Sequence, residues 1–317
     1  MLTKKISAVI ACYKDEKSIL PMHGRITKTL TNITNNYEII FVNDASPDNA
    51  EAVLRELAAR DPLVKVIIHT RNFGSQAAFS SGMDLATGDA IIFLDGDLQD
   101  PPEIIENFVK KWQEGYDVVY GIRKKRRDKI LRRIAYKIFY RLFRKLAYIE
   151  IPLDAGDFSL IDRKVAEVLK RFPERDCFLR GLRSWVGFKQ TGVEYIRAER
   201  MFGQSTNTFF DNIRWAKKGI FSFSYLPLEF ISFLGIFIVG VSFLGIIVQV
   251  ILRFLLPDTP RGISTVIIII LFLGGIQLLC LSIIGEYIGK VFEETKQRPK
   301  YIVKETINDK PLKNKII

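Results

Sequence analysis

The chain of 317 residues is 48% hydrophobic and 26% charged, a balance that excludes a disordered polypeptide and describes a globular domain joined to a smaller apolar part. With 47 Lys and Arg against 35 Asp and Glu, its formal net charge of +12 points to a polyanionic neighbour. Cys12, Cys177 and Cys280 are odd in number and widely spaced, which excludes a disulfide framework and a zinc cage, and His23 and His69 each stand alone as ordinary polar residues.

Met1 to Lys5 leads directly into a strand-like run, so no secretory leader is expected. From there to about residue 121, short apolar runs alternate with helical patterns. Ile6–Cys12, Glu38–Asn43, Val64–His69, Ala90–Leu94 and Asp117–Tyr120 read as strands. Lys17–Thr34, Asn49–Arg60, Ser75–Ala86 and Pro102–Glu114 carry apolar residues at three- and four-residue steps and read as helices. Strand then helix, repeated, predicts an α/β fold with a Rossmann-like, mainly parallel sheet whose active groups gather at the C-terminal ends of the strands. No Gly-x-Gly-x-x-Gly follows the first strand and no Walker lysine loop occurs, so phosphate must be held in another way.

That rule puts Asp44 after the second strand, Arg71-Asn72-Phe73-Gly74 after the third and Asp95-Gly96-Asp97-Leu98-Gln99-Asp100 after the fourth, all on one rim. Asp95 and Asp97, with Gln99 two further on, present oxygen ligands suited to Mg²⁺ or Mn²⁺. Such a metal screens the charge that gathers on a departing diphosphate. Most Asp-x-Asp pairs are solvated turn acids. This one ends an apolar strand and precedes Pro101-Pro102-Glu103, a helix start with proline in its first turn.

After the fifth strand come Arg123 and the run Lys124-Lys125-Arg126-Arg127, which reads as headgroup contact. From Lys129 to Tyr148, Ile130, Ile134, Ile138, Leu142 and Leu146 fall at four-residue steps among Arg132, Arg133, Lys137, Arg141, Arg144 and Lys145. A basic amphipathic helix of this kind lies in the headgroup plane, or packs its stripe against another subunit. Asn207 to Leu228, rich in aromatics, reads as a second interfacial piece or as domain core. Phe230–Leu252 and Ile263–Gly285 are each about 23 residues without a charge, enough to cross a hydrocarbon core of roughly 30 Å. The short linker Pro257–Gly262 makes them a hairpin. Lys217, Lys218, Lys290, Lys296, Arg298 and Lys300 flank the outer ends against Arg253 and Arg261 at the turn, which predicts that both termini are cytoplasmic. The spans also make anionic lipid headgroups, not nucleic acid, the expected neighbour of the positive charge. Two helices bury little protein surface in lipid, so a homo-oligomer would help. The Lys- and Asn-rich tail beyond Arg298 is expected to be mobile.

Asp95 to Glu103, with Val42-Asn43-Asp44-Ala45-Ser46 and Arg71-Asn72-Phe73-Gly74 before it, resembles the family 2 glycosyltransferases of GT-A fold. Gly156-Asp157-Phe158-Ser159-Leu160-Ile161-Asp162-Arg163, Gly203-Gln204-Ser205 and Gly285-Glu286-Tyr287-Ile288-Gly289-Lys290 are similar to the polyisoprenyl-phosphate branch, which includes bactoprenol glucosyltransferases and dolichol-phosphate mannose synthases. The resemblance implies inverting transfer of one sugar from a nucleotide diphosphate sugar, UDP-glucose being the first candidate, to polyprenyl (undecaprenyl) phosphate at the cytoplasmic face of the inner membrane. It implies that Asp97, Asp95 and Gln99 hold Mg²⁺ or Mn²⁺, and that Ala11, Tyr13, Glu16, Asp44 and Asp95 bind the nucleotide sugar. Asp157 is then the catalytic base or an orienting group, and Arg123, Arg200 and Ser205 meet the acceptor phosphate. The family's usual Pro-x-Tyr-Asn-Glu is replaced by Ala11-Cys12-Tyr13-Lys14-Asp15-Glu16, which retains Tyr13 and Glu16. Trp185 in Arg180–Trp185 is similar to the Gln-x-x-Arg-Trp tryptophan of processive synthases but lacks the Gln and the spacing, and reads as a substrate floor or packing element. The implied organisation is a nucleotide-sugar and metal core over 1–125, an acceptor-side part with interfacial helices over 126–228, a transmembrane hairpin over 229–290 and a cytoplasmic tail over 291–317. Two other readings fit the same motifs: a transferase acting on another lipid or a polysaccharide, and a non-catalytic nucleotide-sugar-binding membrane scaffold.

Overall fold

The computed structural model of the protein describes residues 2–124, 155–174, 178–198, 224–255 and 262–309. They fall into two compact units, one built on a sheet and one of two long helices.

In the first unit, β1 (Ile6–Cys12), β2 (Tyr37–Asn43), β3 (Val64–His69) and β4 (Ala90–Asp95) run parallel, in the spatial order β4-β1-β2-β3. Their sequences are apolar at nearly every position because helices cover both faces. On one side α1 (Glu16–Ile33), α2 (Ala50–Arg60) and α4 (Ile105–Gln113), the last entered through a 3₁₀ turn at Pro102–Ile104, bury Met22, Ile26, Leu54 and Phe108 against Ile6, Ala8, Ile39, Phe41 and Ile92. On the other side α3 (Ser75–Leu85) packs across β1 and β2. Strand side chains alternate between faces, so Asp95 and Phe93 share the face on which Phe79 of α3 meets Phe93 edge-on at 5.5 Å. These elements match the sequence reading to within a few residues.

Four further strands extend the sheet. β5 (Val118–Lys124) and β6 (Ala155–Asp162) are antiparallel, β6 fits between β4 and β5, and β7 (Gln190–Ile196) lies parallel to β5 at the edge. Two short helices, α5 (Arg163–Leu169) and α6 (Leu179–Trp185), follow β6. Asp162 caps α5 by accepting a hydrogen bond from Lys164 N. β8 (Val303–Ile307) closes the other edge, antiparallel to β3.

Over 299–309, β8 and its contacts correct the expectation of a mobile tail beyond Arg298; residues 310–317 lie outside the described residues. Arg55 of α2 bridges Glu51 and Glu305, the Asn308 side-chain amide donates to Ala58 O (2.7 Å) and Val64 O (2.9 Å), and the Lys300 ammonium donates to Phe172 O (2.7 Å). The polar composition that suggests disorder is that of an edge strand showing Lys304 and Glu305 to solvent.

At the opposite end of the sheet from the rim, Glu38 is 2% exposed and gathers Ser7 Oγ (2.6 Å), Thr87 N (2.7 Å), Lys5 Nζ (3.0 Å) and Lys65 Nζ (2.9 Å). Burial alone would raise its pKa, but the two ammonium groups and the hydroxyl and amide donors hold it at about 2.

Among its described residues the second unit forms α7 (Leu226–Leu255) and α8 (Ile263–Thr295). Leu226–Gly245 and Phe272–Thr295 within them are long and apolar enough to cross a membrane. At 30 residues, α7 is about 45 Å long, more than a hydrocarbon core of roughly 30 Å. The helices overrun the charge-free stretches because helical hydrogen bonding continues past the first charged side chains. Tyr287 OH donates to Ser224 O (2.7 Å) within this unit. The amphipathic stretch 129–148, the aromatic stretch over 207–223 and the linker around 257–261 lie outside the described residues.

Candidate active site

The C-terminal ends of the parallel strands form a rim whose backbone is strained where side chains must be aimed. Lys14 after β1, Ala45 after β2 and Leu98 after β4 have φ of +61°, +49° and +59°, values that non-glycine residues adopt at a cost. Ala11 and Asp95 sit side by side on β1 and β4, where Gly96 N donates to Ala11 O (2.9 Å). Since β1 is flanked by β4 and β2, this is the topological switch point, where open α/β sheets place their ligands.

Four carboxylates crowd the β4–β6 side. Asp95 is pushed up to about 7, by burial first and then by the charges of Asp157, Asp100 and Asp97, against a smaller opposing effect of Arg123. Asp97 is 6% exposed; its Oδ1 accepts from Gln99 N (3.1 Å), and Arg197 Nη2 lies 3.9 Å from its Oδ2. Gln99 O in turn accepts from Ala198 N (3.0 Å). Asp100 is fully buried beneath them and accepts from Tyr195 OH and from Arg123 Nη2 (3.4 Å). Arg197 Nε is 3.3 Å from Asp100 Oδ1 as an ion pair without hydrogen-bond alignment. Asp100 therefore fixes two arginines at the rim.

These residues fit a divalent cation. Asp95 and Asp97 offer the hard carboxylate oxygens that such ions take, and the like charges that help burial to raise the Asp95 pKa are ones a metal would offset. Among the described residues no three His, Cys, Asp or Glu side chains form a ready-made cage. Mg²⁺ and Mn²⁺ sites commonly use one or two carboxylates and complete the shell with water and substrate phosphate, a need that Asp95 and Asp97 can meet.

Asp157, on β6, is 8% exposed and forms a bidentate pair with Arg180 of α6, Nε to Oδ1 and Nη2 to Oδ2, both at 2.8 Å. Burial would raise its pKa, yet Arg180, helped by Gln76 and Arg183, holds it at about 2. Gln76 Oε1 also accepts from Leu179 N at the start of α6 (2.9 Å). Arg183 is 4% exposed, lies over the Tyr120 ring at 5.3 Å and donates to Gly156 O (3.4 Å). Burial lowers its pKa to about 10, against the pull of Asp157. Arg123 crosses directly above Gly156, where a Cβ would stand 2.6 Å from its Nη2, so only glycine admits the guanidinium there.

On the β1–β2–β3 side the loops interlock. Tyr13 is 36% exposed, Lys14 N donates to Ser46 Oγ (2.7 Å), Glu16 N donates to Asp48 Oδ2 (3.0 Å), and Glu16 Oε2 accepts from Asn49 N (3.3 Å). Asp44 is 2% exposed and holds the next loop: its Oδ1 accepts from Phe73 N (2.8 Å) and its Oδ2 from Gly74 N (2.7 Å). Gly74, at φ +92°, makes the turn into α3. His69 is buried, not an ordinary surface polar residue; Nδ1 lies 2.8 Å from Asp44 Oδ1 and Nε2 2.9 Å from Ser81 Oγ.

The structure thus brings Ala11, Tyr13, Glu16, Asp44, Asp95, Asp97, Gln99, Arg123 and Asp157 to the strand ends of one sheet. Arg200 and Ser205 lie outside the described residues. Arg180, Arg183, Tyr195 and Arg197 bond to or pack against these residues or their neighbours and were not expected from the sequence. The signal for the first two was Arg180-Gly181-Leu182-Arg183, two arginines one helical turn apart. Trp185 is 53% exposed and packs edge-on against Phe172 at 5.4 Å.

The profile of Glycosyl transferase family 2 matches residues 7–170. The glycosyltransferase YkcC of Bacillus subtilis (strain 168), itself uncharacterized, is 44% identical over 95% of this chain and 93% of its own length. An SfII prophage-derived bactoprenol glucosyl transferase of Shigella flexneri is 39% identical over 97% of this chain and all of its own. Among solved structures, a mannosyltransferase from Pyrobaculum calidifontis in complex with GDP-Man and Mn²⁺ superposes with a TM-score of 0.52 at 18% identity, covering 70% of this chain and 64% of that one, which shows the shared fold. On its sheet order, its rim of acids and arginines and these likenesses, the chain belongs to glycosyltransferase family 2 and has the GT-A fold.

Proposed function

We propose that this protein transfers a single sugar, with inversion, from a nucleotide diphosphate sugar to polyprenyl phosphate at the cytoplasmic face of the membrane. The observation that carries this reading is the near-full-length likeness to bactoprenol glucosyl transferases, both apolar helices included. UDP-glucose is the first donor to test. The excess of Lys and Arg flanking the outer ends of the two apolar helices supports a topology with both termini and the sheet unit on the cytoplasmic side.

The acceptor is a phosphate monoester with a second pKa of about 6, so at neutral pH it already carries the attacking oxyanion. Its oxygen forms the new bond to the anomeric carbon as the bond from that carbon to the diphosphate breaks, and the nucleoside diphosphate leaves with the electron pair. No strong base is needed, and Asp157, held at about 2 in its pair with Arg180, is a poor one. Its role is to orient Arg180. The protein's main task is to bring two anions together, for which planar guanidinium groups are well shaped. Arg123, braced by Asp100 and Tyr195, faces the acceptor phosphate, with Arg200 and Ser205 as further contacts. Ala11, Tyr13, Glu16 and the Asp44-held loop take the nucleoside. Asp97 and Asp95, with Gln99, would hold Mg²⁺ or Mn²⁺, which supplies charge neutralisation on the departing diphosphate.

The test is to incubate the purified protein with radiolabelled nucleotide sugars, undecaprenyl phosphate and Mg²⁺ or Mn²⁺. An acid-labile lipid product supports the proposal, whereas a polymer product or no transfer overturns it. Asp97→Asn should reduce metal-dependent turnover by about a hundredfold or more with the circular dichroism spectrum unchanged; full activity would remove Asp97 from the metal site.

A further inference from the structure

After α8 the chain returns to the sheet unit, where half-buried Tyr301 packs against His69 at the end of β3. The Tyr301 ring is offset-stacked on His69, with centroids 5.5 Å apart and planes 10° from parallel, and its hydroxyl donates to Asp84 Oδ2 (2.6 Å). Next to it, Thr70 N donates to Ile302 O (3.0 Å), and the β3–β8 ladder shifts register between Ile68 and His69. Irregularities of this kind re-aim a side chain at the end of a strand. His69 then meets Asp44 and Ser81, and Asp44 holds the backbone of Phe73 and Gly74. Phe73 closes the circuit, with its ring edge-on to His69 at 5.6 Å and Arg71 lying over it at 4.2 Å.

We propose that Tyr301 is a positioning residue of the donor site, setting through His69 and Asp44 the posture of the Arg71–Gly74 loop against the nucleotide. His69 has no exposed edge and spends both ring nitrogens within the protein, so its contribution is orientation. Without the Tyr301 ring, one face of the imidazole loses its packing, and the carboxylate that fixes two loop N–H groups loses a braced partner. The effect falls first on the donor half: Asp157 pairs with Arg180 and Arg123 with Asp100 and Tyr195, and the nearest link to the Arg71–Gly74 loop is Gln76 of α3, which also supports Asp157. This inference rests on the reading that the β1–β2–β3 rim holds the nucleotide.

The experiment uses the full chain in detergent with Mn²⁺. It measures equilibrium binding of UDP and GDP, and KM for the preferred nucleotide sugar and for undecaprenyl phosphate. Tyr301→Leu should weaken nucleoside diphosphate binding about 3- to 10-fold and raise the donor KM in step, leaving kcat and the lipid KM near wild type. Tyr301→Phe, which keeps the ring, should stay within about twofold. Equal loss in the two variants, or parallel rises in both KM values, would show a structural role only and overturn the proposal. Should Tyr301→Leu not fold, His69→Gln, which keeps a donor for Asp44 but no ring for Tyr301, must raise the donor KM alone, and an unchanged donor KM there overturns it. A wild-type protein that binds neither nucleotide overturns the site reading and this inference together, whereas wild-type binding matched by Tyr301→Leu overturns this inference alone.

Discussion

At the scale of single residues, the site is a mosaic of four carboxylates and four arginines in which identity says less than pairing. Asp95 and Asp157 lie in one crowded cluster, yet burial and like charges raise one to about 7, and a bidentate guanidinium holds the other at about 2. A carboxylate at 2 orients; it does not collect protons at neutral pH. Asp157→Asn should therefore lower kcat/KM by about a hundredfold through a misplaced Arg180, with the acidic limb of the pH–rate profile kept, since the acceptor phosphate near 6 and the Asp95 proton near 7 set it. Arg180→Ala should cost about as much, and the double variant little more than either single one, because the two side chains act as a unit. Disappearance of the acidic limb in Asp157→Asn, or additive losses in the double variant, would return Asp157 to the role of general base.

Among the elements, β8 shows how far sequence pattern reaches. A strand of Val-Lys-Glu-Thr-Ile after a long apolar helix has no apolar run to announce it, yet it covers the edge of β3 and delivers Tyr301. Truncation after Lys296 should remove this cover, lower the melting temperature by about 5 °C or more and promote association through β3; an unchanged melting curve would make β8 dispensable. Arg55→Ala, which breaks only exposed ion pairs, should leave the melting temperature almost unchanged. The elements from β1 to β5 were legible because strands covered on both faces are apolar throughout. β6 was not, since Asp157 and Ser159 interrupt its pattern; both are buried, Asp157 in its pair with Arg180 and Ser159 with its hydroxyl on Asp157 O. Asp95 and Asp97 could be read because they end an apolar strand. The partners of Asp44 could not, being backbone N–H groups of a loop and a histidine 25 residues away that sequence alone leaves unpaired. The two arginines of α6 were hidden in a seven-residue helix too short for periodicity to register.

At the scale of the whole molecule, the buried carboxylates give stability opposite dependences on pH, even within one rim. Glu38 and Asp157, held at about 2 against ordinary values of 4.5 and 3.8, favour the fold above those ordinary values, and that contribution is lost as pH falls toward 2. Asp95, raised to about 7 from 3.8, works the other way. Its contribution is complete below about 4 and is lost as pH rises through 7, because the folded site must then hold one more negative charge. A divalent cation reverses that loss by displacing the proton, so its affinity should weaken about tenfold per unit as pH drops below 7. The metal-free protein should thus melt at a lower temperature at pH 8 than at pH 5. Mn²⁺ with UDP at about a hundredfold excess over its dissociation constant should raise the melting temperature by about 5 to 10 °C at pH 8 and by much less at pH 5. In Asp95→Asn the metal-free melting temperature should change little between these pH values, since the titrating carboxyl is gone. Scanning calorimetry of the full chain in detergent at the two pH values, with and without Mn²⁺ and UDP, reads all of these. A metal increment that is the same at pH 5 and pH 8 would mean that the cation does not compete with the Asp95 proton, and would take Asp95 out of the ligand set.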